Sequence, residues 1–355
     1  MMITVMNLLS VTYTLQTRTN KAVELQRQAL DGCMNLFGSD HPRTLKAKYT
    51  LGIACLLEGR FNEARKLQEE AIERMTEVLG ANHEDTLLAV DHLGEIMARY
   101  FDFEKSKHLH LKAWNGMKKT LGPTHTDTLT AMDHVAQAYL RLGRDLLELG
   151  HEIAEQVVAE RTNQSGREHP HTLVAKLTLA RIKAAQSKAE EAEDMIRQNL
   201  PIAERNLGEN HLGTMLGRFY LADVIARQNR YEEAEKILII IVDKKRYKAS
   251  VREDGEHTDR IQAMWLLLNC YQKQGKIEDA IRIGDELAEG VQTIGGEGLG
   301  SKHVFAKRLA DKRKDLLAAR GNPETAPDTG NHEWDLSSPD SDLSSPGSIS
   351  KAFTF

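Results

Sequence analysis

Gly38-Ser-Asp-His41-Pro-Arg-Thr-Leu45 is the stretch on which the fold is read, because its pattern occurs seven times. The further copies are His83-Glu-Asp-Thr-Leu87, His125-Thr-Asp-Thr-Leu129, His169-Pro-His-Thr-Leu173, His211-Leu-Gly-Thr-Met215, His257-Thr-Asp-Arg-Ile261 and His303-Val-Phe-Ala-Lys307. The histidines are 42, 42, 44, 42, 46 and 46 residues apart. A glycine stands three residues before six of them, at Gly38, Gly80, Gly122, Gly166, Gly208 and Gly300; Gly255 stands two before His257. A fixed period of this length marks a repeat array, in which each unit buries its apolar face against the next.

A second string falls 18 to 23 residues after the histidine: Gly59-Arg-Phe-Asn-Glu-Ala64, Asn229-Arg-Tyr-Glu-Glu-Ala234 and Gly275-Lys-Ile-Glu-Asp-Ala280. Weaker copies are Phe101-Asp-Phe-Glu-Lys-Ser106, Ser187-Lys-Ala-Glu-Glu-Ala192 and Gly143-Arg-Asp-Leu-Leu-Glu148. Each unit then parses as two helices. After the histidine, apolar residues return every three or four positions (Leu45, Tyr49, Ile53, Leu56), the spacing of one helix face. Pro42 and Pro170 sit in a first turn, where the missing N–H would be unpaired anyway. Gly59 closes helix A, because a left-handed cap favours a residue without Cβ. Phe61, Ala64, Leu67, Ala71 and Met75 then form helix B. Pro201 is predicted to kink or restart the B helix of its repeat. Gly52, Gly94, Ala136, Ala180 and Ala222 share one register in helix A, and Ala64, Ala192, Ala234 and Ala280 one in helix B. Such small side chains let two helices approach closely.

The small residue in helix A, the Gly-x-aromatic turn and the Glu-Ala of helix B resemble tetratricopeptide repeats, over roughly residues 1–320. The 42-residue unit with its L-G-x-x-H-P-x-T-L junction is similar to the kinesin light chain type, and to fungal multi-repeat proteins that carry an NTPase domain upstream. Where that family shows paired asparagines in helix A, this chain reads Tyr49-Thr50, Asp91-His92, Asp133-His134, Leu177-Thr178, Phe219-Tyr220 and Trp265-Leu266. The resemblance implies an all-α, right-handed superhelical solenoid of about seven helix pairs over residues 1–320. A charged helix at 303–320 is expected to cap it. The implied function is a non-catalytic scaffold that binds a peptide or partner segment in the concave groove lined by helix A. The alternative is the C-terminal sensor portion of a larger signalling NTPase, since the chain begins inside a repeat without a histidine junction.

Transferred by repeat phase, the groove positions include Tyr49, Asp91, Arg99, Asp133, Arg141, Arg181, Phe219, Arg227, Trp265, Asn269 and Lys273. Arg99, Arg141, Arg227 and Lys273 share a register and would form a basic column. Arginines there either bind carboxylates or phosphates by paired hydrogen bonds or neutralise Asp91, Asp133 and Asp223 in the same groove. Tyr49, Phe219 and Trp265 are peptide anchors or core.

Composition narrows the class. With 52 acidic and 47 basic side chains, a net charge of −5 and 5% aromatics, the chain lacks the basic footprint and stacking surface of a nucleic-acid binder. The longest aliphatic run, Ile237 to Val242, is far short of a membrane span. Cys33, Cys55 and Cys270 lie far apart, which suits a reducing, cytoplasmic setting. No phosphate loop, H-E-x-x-H or G-x-S-x-G occurs, so neither an enzyme nor a cofactor is expected. The junction histidines recur about 10 Å apart by helix packing, too far for one metal ion with ligands at about 2 Å. Asp91-His92 and Asp133-His134 repeat, but neighbours on a helix do not face each other.

Residues 321–355 differ. They hold four of the eight prolines, seven serines, six acids and one base, a disordered composition. Within them, Glu333-Trp334-Asp335 resembles the tryptophan-acidic peptides that kinesin light chain grooves bind. The tail is expected to dock back on the basic column, or on a neighbouring chain, with Trp334 as anchor.

Overall fold

A computed structural model describes residues 19–100, 102–209, 211–243, 258–293 and 304–321. The His257 and His303 junctions, and the tail with Glu333, Trp334 and Asp335, lie outside these residues. Among the described residues there are fourteen α-helices and no strand. The fold is a TPR-like array of antiparallel helix pairs. It divides into two compact units, one ending at Leu179 and one starting at Ala180.

The first unit contains α1 (Thr19–Phe37), α2 (Pro42–Leu57), α3 (Phe61–Val78), α4 (Glu84–Arg99), α5 (Phe103–Thr120), α6 (Thr126–Leu142), a short 3-10 turn (Arg144–Leu146) and α7 (Leu147–Ser165). The division falls within α8 (Pro170–Ala185). The second unit contains α9 (Ala189–Leu207), α10 (Leu212–Arg227), α11 (Tyr231–Val242), α12 (Thr258–Lys273), α13 (Ile277–Thr293) and α14 (Val304–Gly321).

The recurring string is a helix junction in full. Gly38, Gly80, Gly122, Gly166 and Gly208 have φ between +85° and +98°. For Gly166 and Gly208 ψ is 167° and 155°, a backbone region open essentially to glycine alone. Three residues on, the histidine is the N-cap. Nδ1 of His41, His83, His125 and His211 accepts the backbone N–H of Arg43, Asp85, Asp127 and Gly213 at 3.1, 3.2, 3.3 and 3.1 Å. These side chains fill the role usually played by Ser or Asp, satisfying an N–H that the first turn leaves open. Thr44, Thr128 and Thr214 then donate back to the carbonyls of Gly38, Gly122 and Gly208 at 2.7–2.8 Å. The leucine that follows is buried: Leu45, Leu87 and Leu129 are each 1% exposed.

Helices α2 and α3, α4 and α5, and α6 and α7 form successive hairpins in the first unit. The B-helix small residues Ala22, Ala64, Ser106, Ala192, Ala234 and Ala280 are all buried. One helix departs from its reading. The Gly143 string puts Glu148 at the small position, whereas Gly150 is the residue buried there, with Ala154 and Val157 beyond it. The 3-10 turn at Arg144–Leu146 absorbs two residues and moves α7 into register. That shift is the extra two residues between His125 and His169. Of the two readings of Pro201 the restart does not occur, because α9 runs through it. In the second unit α14 sets Leu309, Leu316 and Ala319 into the core together with Lys312, which is 7% exposed, and Arg313 is held to Asp285 of α13.

Candidate functional site

The A helices of the first unit carry two kinds of polar residue, one turned into the stack and one turned outward. The inward set begins at Asp91 of α4, which is 3% exposed. His110 of α5 donates from Nδ1 to Asp91 Oδ1 at 2.6 Å, and His134 of α6 donates from Nδ1 to Asp91 Oδ2 at 2.8 Å. The two imidazoles stand 5.1 Å apart, centre to centre. One turn along α4, Glu95 Oε2 accepts from His92 Nδ1 at 2.8 Å, and Glu95 Oε1 lies 3.5 Å from His134 Nε2.

Glycine makes the room. A Cβ on Gly94 would fall 2.6 Å from the His110 ring, so only glycine lets that ring lie flat on α4. The preceding hairpin repeats the arrangement with Gly52 and Gln68, whose Oε1 would stand 3.1 Å from an added Cβ.

Electrostatics follow from burial against pairing. Burial alone would raise the Asp91 carboxyl, but the His134 charge and the two imidazole hydrogen bonds outweigh it and hold the group well below the usual range. Burial opposes charge on His134 too, yet Asp91 and Glu95 push its pKa up to about 10. Glu95 is brought down to about 2 against its own burial, first by His134 and then by His92. The cluster is a carboxylate–imidazolium chain that compensates its own charge.

The same contact recurs along the stack. Tyr49 of α2 meets the His92 ring at 5.6 Å, and Thr178 of α8 donates to Asp133 of α6 at 3.3 Å. With Asp91 and His134, these pairs are 43, 43 and 45 residues apart. Asp133 also accepts from Gln137 at 3.0 Å. The aspartates therefore do not neutralise the arginine column in this unit. Asp91 takes two histidines, and Asp133 takes Gln137 and Thr178. The outward set is Glu95, Arg99, Gln137 and Arg141; Arg99 is exposed, and Arg141 lies over the Phe103 ring at 5.6 Å.

In the second unit, Arg227 pairs with Asp223 at 3.0 Å and Arg181 stacks on Tyr220 at 4.3 Å. Asn269 and Lys273 are half-buried. Tyr49, Phe219 and Trp265, read as anchors or core, are 6, 4 and 5% exposed and pack in the interior.

His110 was not legible as part of a site. The available signal was its register, that of Gln68, facing a glycine of helix A. Asp91 and His92 do not face each other within α4; Asp91 instead meets His134, the histidine of the following repeat.

A family model described as tetratricopeptide repeat matches residues 1–75, 49–115 and 171–238. No curated protein matches the chain. Among solved structures, NprR in complex with its cognate peptide NprX is similar at 11% identity, over 91% of this chain and 85% of that one, with a TM-score of 0.58. A Rap protein complexed with competence and sporulation factor matches at 10% identity, over 91% and 99%, with a TM-score of 0.52. Kinesin light chain-type, nearly identical TPR-like repeats from Podospora anserina match at 24% identity, over 57% and 95%, with a TM-score of 0.47.

Proposed function

The chain belongs to the tetratricopeptide repeat family, and from that premise we propose that it is a non-catalytic interaction scaffold holding an extended peptide or partner segment on its A-helix face. The observation that carries the reading is the pair of outward registers on successive A helices. Glu95 and Arg99 of α4 are matched by Gln137 and Arg141 of α6, above a core in which the two helices are locked by Asp91 and His134. A rigid wall with repeated charged positions offers an extended segment fixed partners at regular intervals. NprR with NprX and Rap with its factor, peptide complexes of similar fold, support a peptide as partner.

The partner is an acidic segment, which Arg99 and Arg141 orient. One such segment is in the chain itself: residues 321–355 carry six acids and Trp334. A reducing, cytoplasmic setting is supported by Cys33, Cys55 and Cys270, buried apart as free thiols. Among the described residues no helix is long and apolar enough to cross a membrane.

The test is a labelled peptide of residues 328–343 titrated into the purified full chain at low and high salt. Salt-sensitive binding, lost when Arg99 and Arg141 are both changed to Glu and weakened by Trp334→Ala in the peptide, is the expected result. If that peptide does not bind, panning a random peptide library on the same face decides whether the tail or the whole reading fails. Acidic clones lost on the Arg→Glu change would keep the scaffold and remove the tail as its ligand. No enrichment at all would remove both.

A further inference from the structure

We propose that Asp91, His110 and His134 form a binding site for a single divalent transition-metal cation of the zinc class, set where α4, α5 and α6 meet. One ligand atom from each residue lies within 4.8 Å of the others. A carboxylate with two imidazoles is a donor set for zinc or cobalt(II); calcium and magnesium favour oxygen ligands throughout.

The geometry is close to what coordination needs. Ligands about 2.0–2.1 Å from a tetrahedral ion stand about 3.4 Å from one another. His110 now meets Asp91 Oδ1 at 2.6 Å and His134 meets Oδ2 at 2.8 Å, with the ligand atoms within 4.8 Å of one another, so each ring has to step back from the carboxylate by less than about 1 Å and the widest pair has to close by up to about 1.4 Å. The cation takes the place of the Nδ1 protons lying between each ring and the carboxylate. Those protons pass to the outer ring nitrogen or to solvent, as metal binding by histidine requires.

Three further features fit an ion better than a mere polar contact. Glu95 stands against the outer nitrogen of His134, the carboxylate–histidine–metal arrangement that orients a ligand ring. Gly94 gives His110 a bare backbone to lie on. The side chains of Asp91 and His110 are 4% exposed, while those of His134 and Glu95 are 15% and 37% exposed, which leaves a way in from the A-helix face. Three protein ligands leave a fourth position for water or for a donor atom of a bound segment. The junction histidines take no part, since their Nδ1 atoms cap helices.

The repeats supply their own control variants. At the register of His110 the preceding hairpin has Gln68, and at that of His134 the following repeat has Thr178. His110→Gln and His134→Thr therefore place residues this array already accommodates. The full-length chain, stripped with chelator, is titrated with cobalt chloride and followed by visible absorption, then with zinc chloride in competition. The expected result is one cobalt per chain with the intense bands of tetrahedral coordination, displaced by zinc. Each variant should bind at least about tenfold more weakly, while exposed His108→Gln on α5 binds as the wild type does. A wild-type chain that takes up no cobalt, or variants that bind it unchanged, would overturn the proposal. Should either variant lose helical signal, Asp91→Asn, which keeps the side-chain shape, is read by the same criteria.

Discussion

Two hairpins of the same repeat meet one packing problem with opposite partners. In α4 and α5 of the first unit, helix A provides Gly94 and helix B provides the His110 ring that fills the space. In α12 and α13 of the second unit, the same registers hold Leu268 and Gly284, and a Cβ on Gly284 would stand 3.3 Å from Leu268 Cδ1. What is constant is the combined size across the helix pair, not the residue on either helix. Chemistry follows from which helix carries the bulk. Asp91 and Asp133 of the first unit are replaced at the same register in the second by Phe219 and Trp265, both buried. Asp91 and Asp133 thus put polar groups in the interior at a register where Phe219 and Trp265 of the second unit are apolar.

That contrast can be broken most severely at its centre. Asp91→Ala leaves the protonated His134 buried without its main partner and should cost about 3–5 kcal/mol in urea unfolding. An effect below about 1 kcal/mol would mean the carboxylate is dispensable. Next is size. Gly94→Ala should destabilise by about 1–3 kcal/mol, because the His110 ring has to leave. Gly284→Ala should change stability by less than about 1 kcal/mol, since Leu268 has only to yield slightly and helix propensity is gained. Equal effects at the two glycines would erase the distinction between the hairpins.

Smaller effects sharpen the junctions that both units share. Gly80 has φ +97° and open space around its Cα, so Gly80→Ala tests backbone strain alone and should cost about 1–2 kcal/mol. His83→Ala removes one cap and should cost about 1 kcal/mol, read from the thermal midpoint. A His83 variant as damaging as the Asp91 one would show that the junction histidines do more than cap.

The repeat phase was legible because its landmarks are physical necessities. The backbone at Gly80 needs glycine, His83 caps the helix that follows, and Leu87 is the first core residue of that helix. The two-residue shift of α7 was written in the spacing from His125 to His169, but the weak string at Gly143 drew the helix start too early. Pro201 misled as a restart because proline argues against an uninterrupted helix, whereas α9 continues past it to Leu207 with the proline itself exposed. The site was less legible. Phase shows which residues share a register, and it leaves open whether that register faces outward or inward. Tyr49, Phe219 and Trp265 therefore looked like anchors as readily as core. The Asp91 cluster needs three helices and a partner 43 residues away, which no single repeat displays.

The central claim is that the A helices of adjacent repeats lie side by side, so that Asp91 touches His134, the residue next to its own equivalent Asp133. A double-mutant cycle with Asp91→Asn and His134→Thr, read by urea unfolding, tests it most directly. The account predicts a coupling of about 1–3 kcal/mol between the two positions. Strictly additive single effects would contradict it.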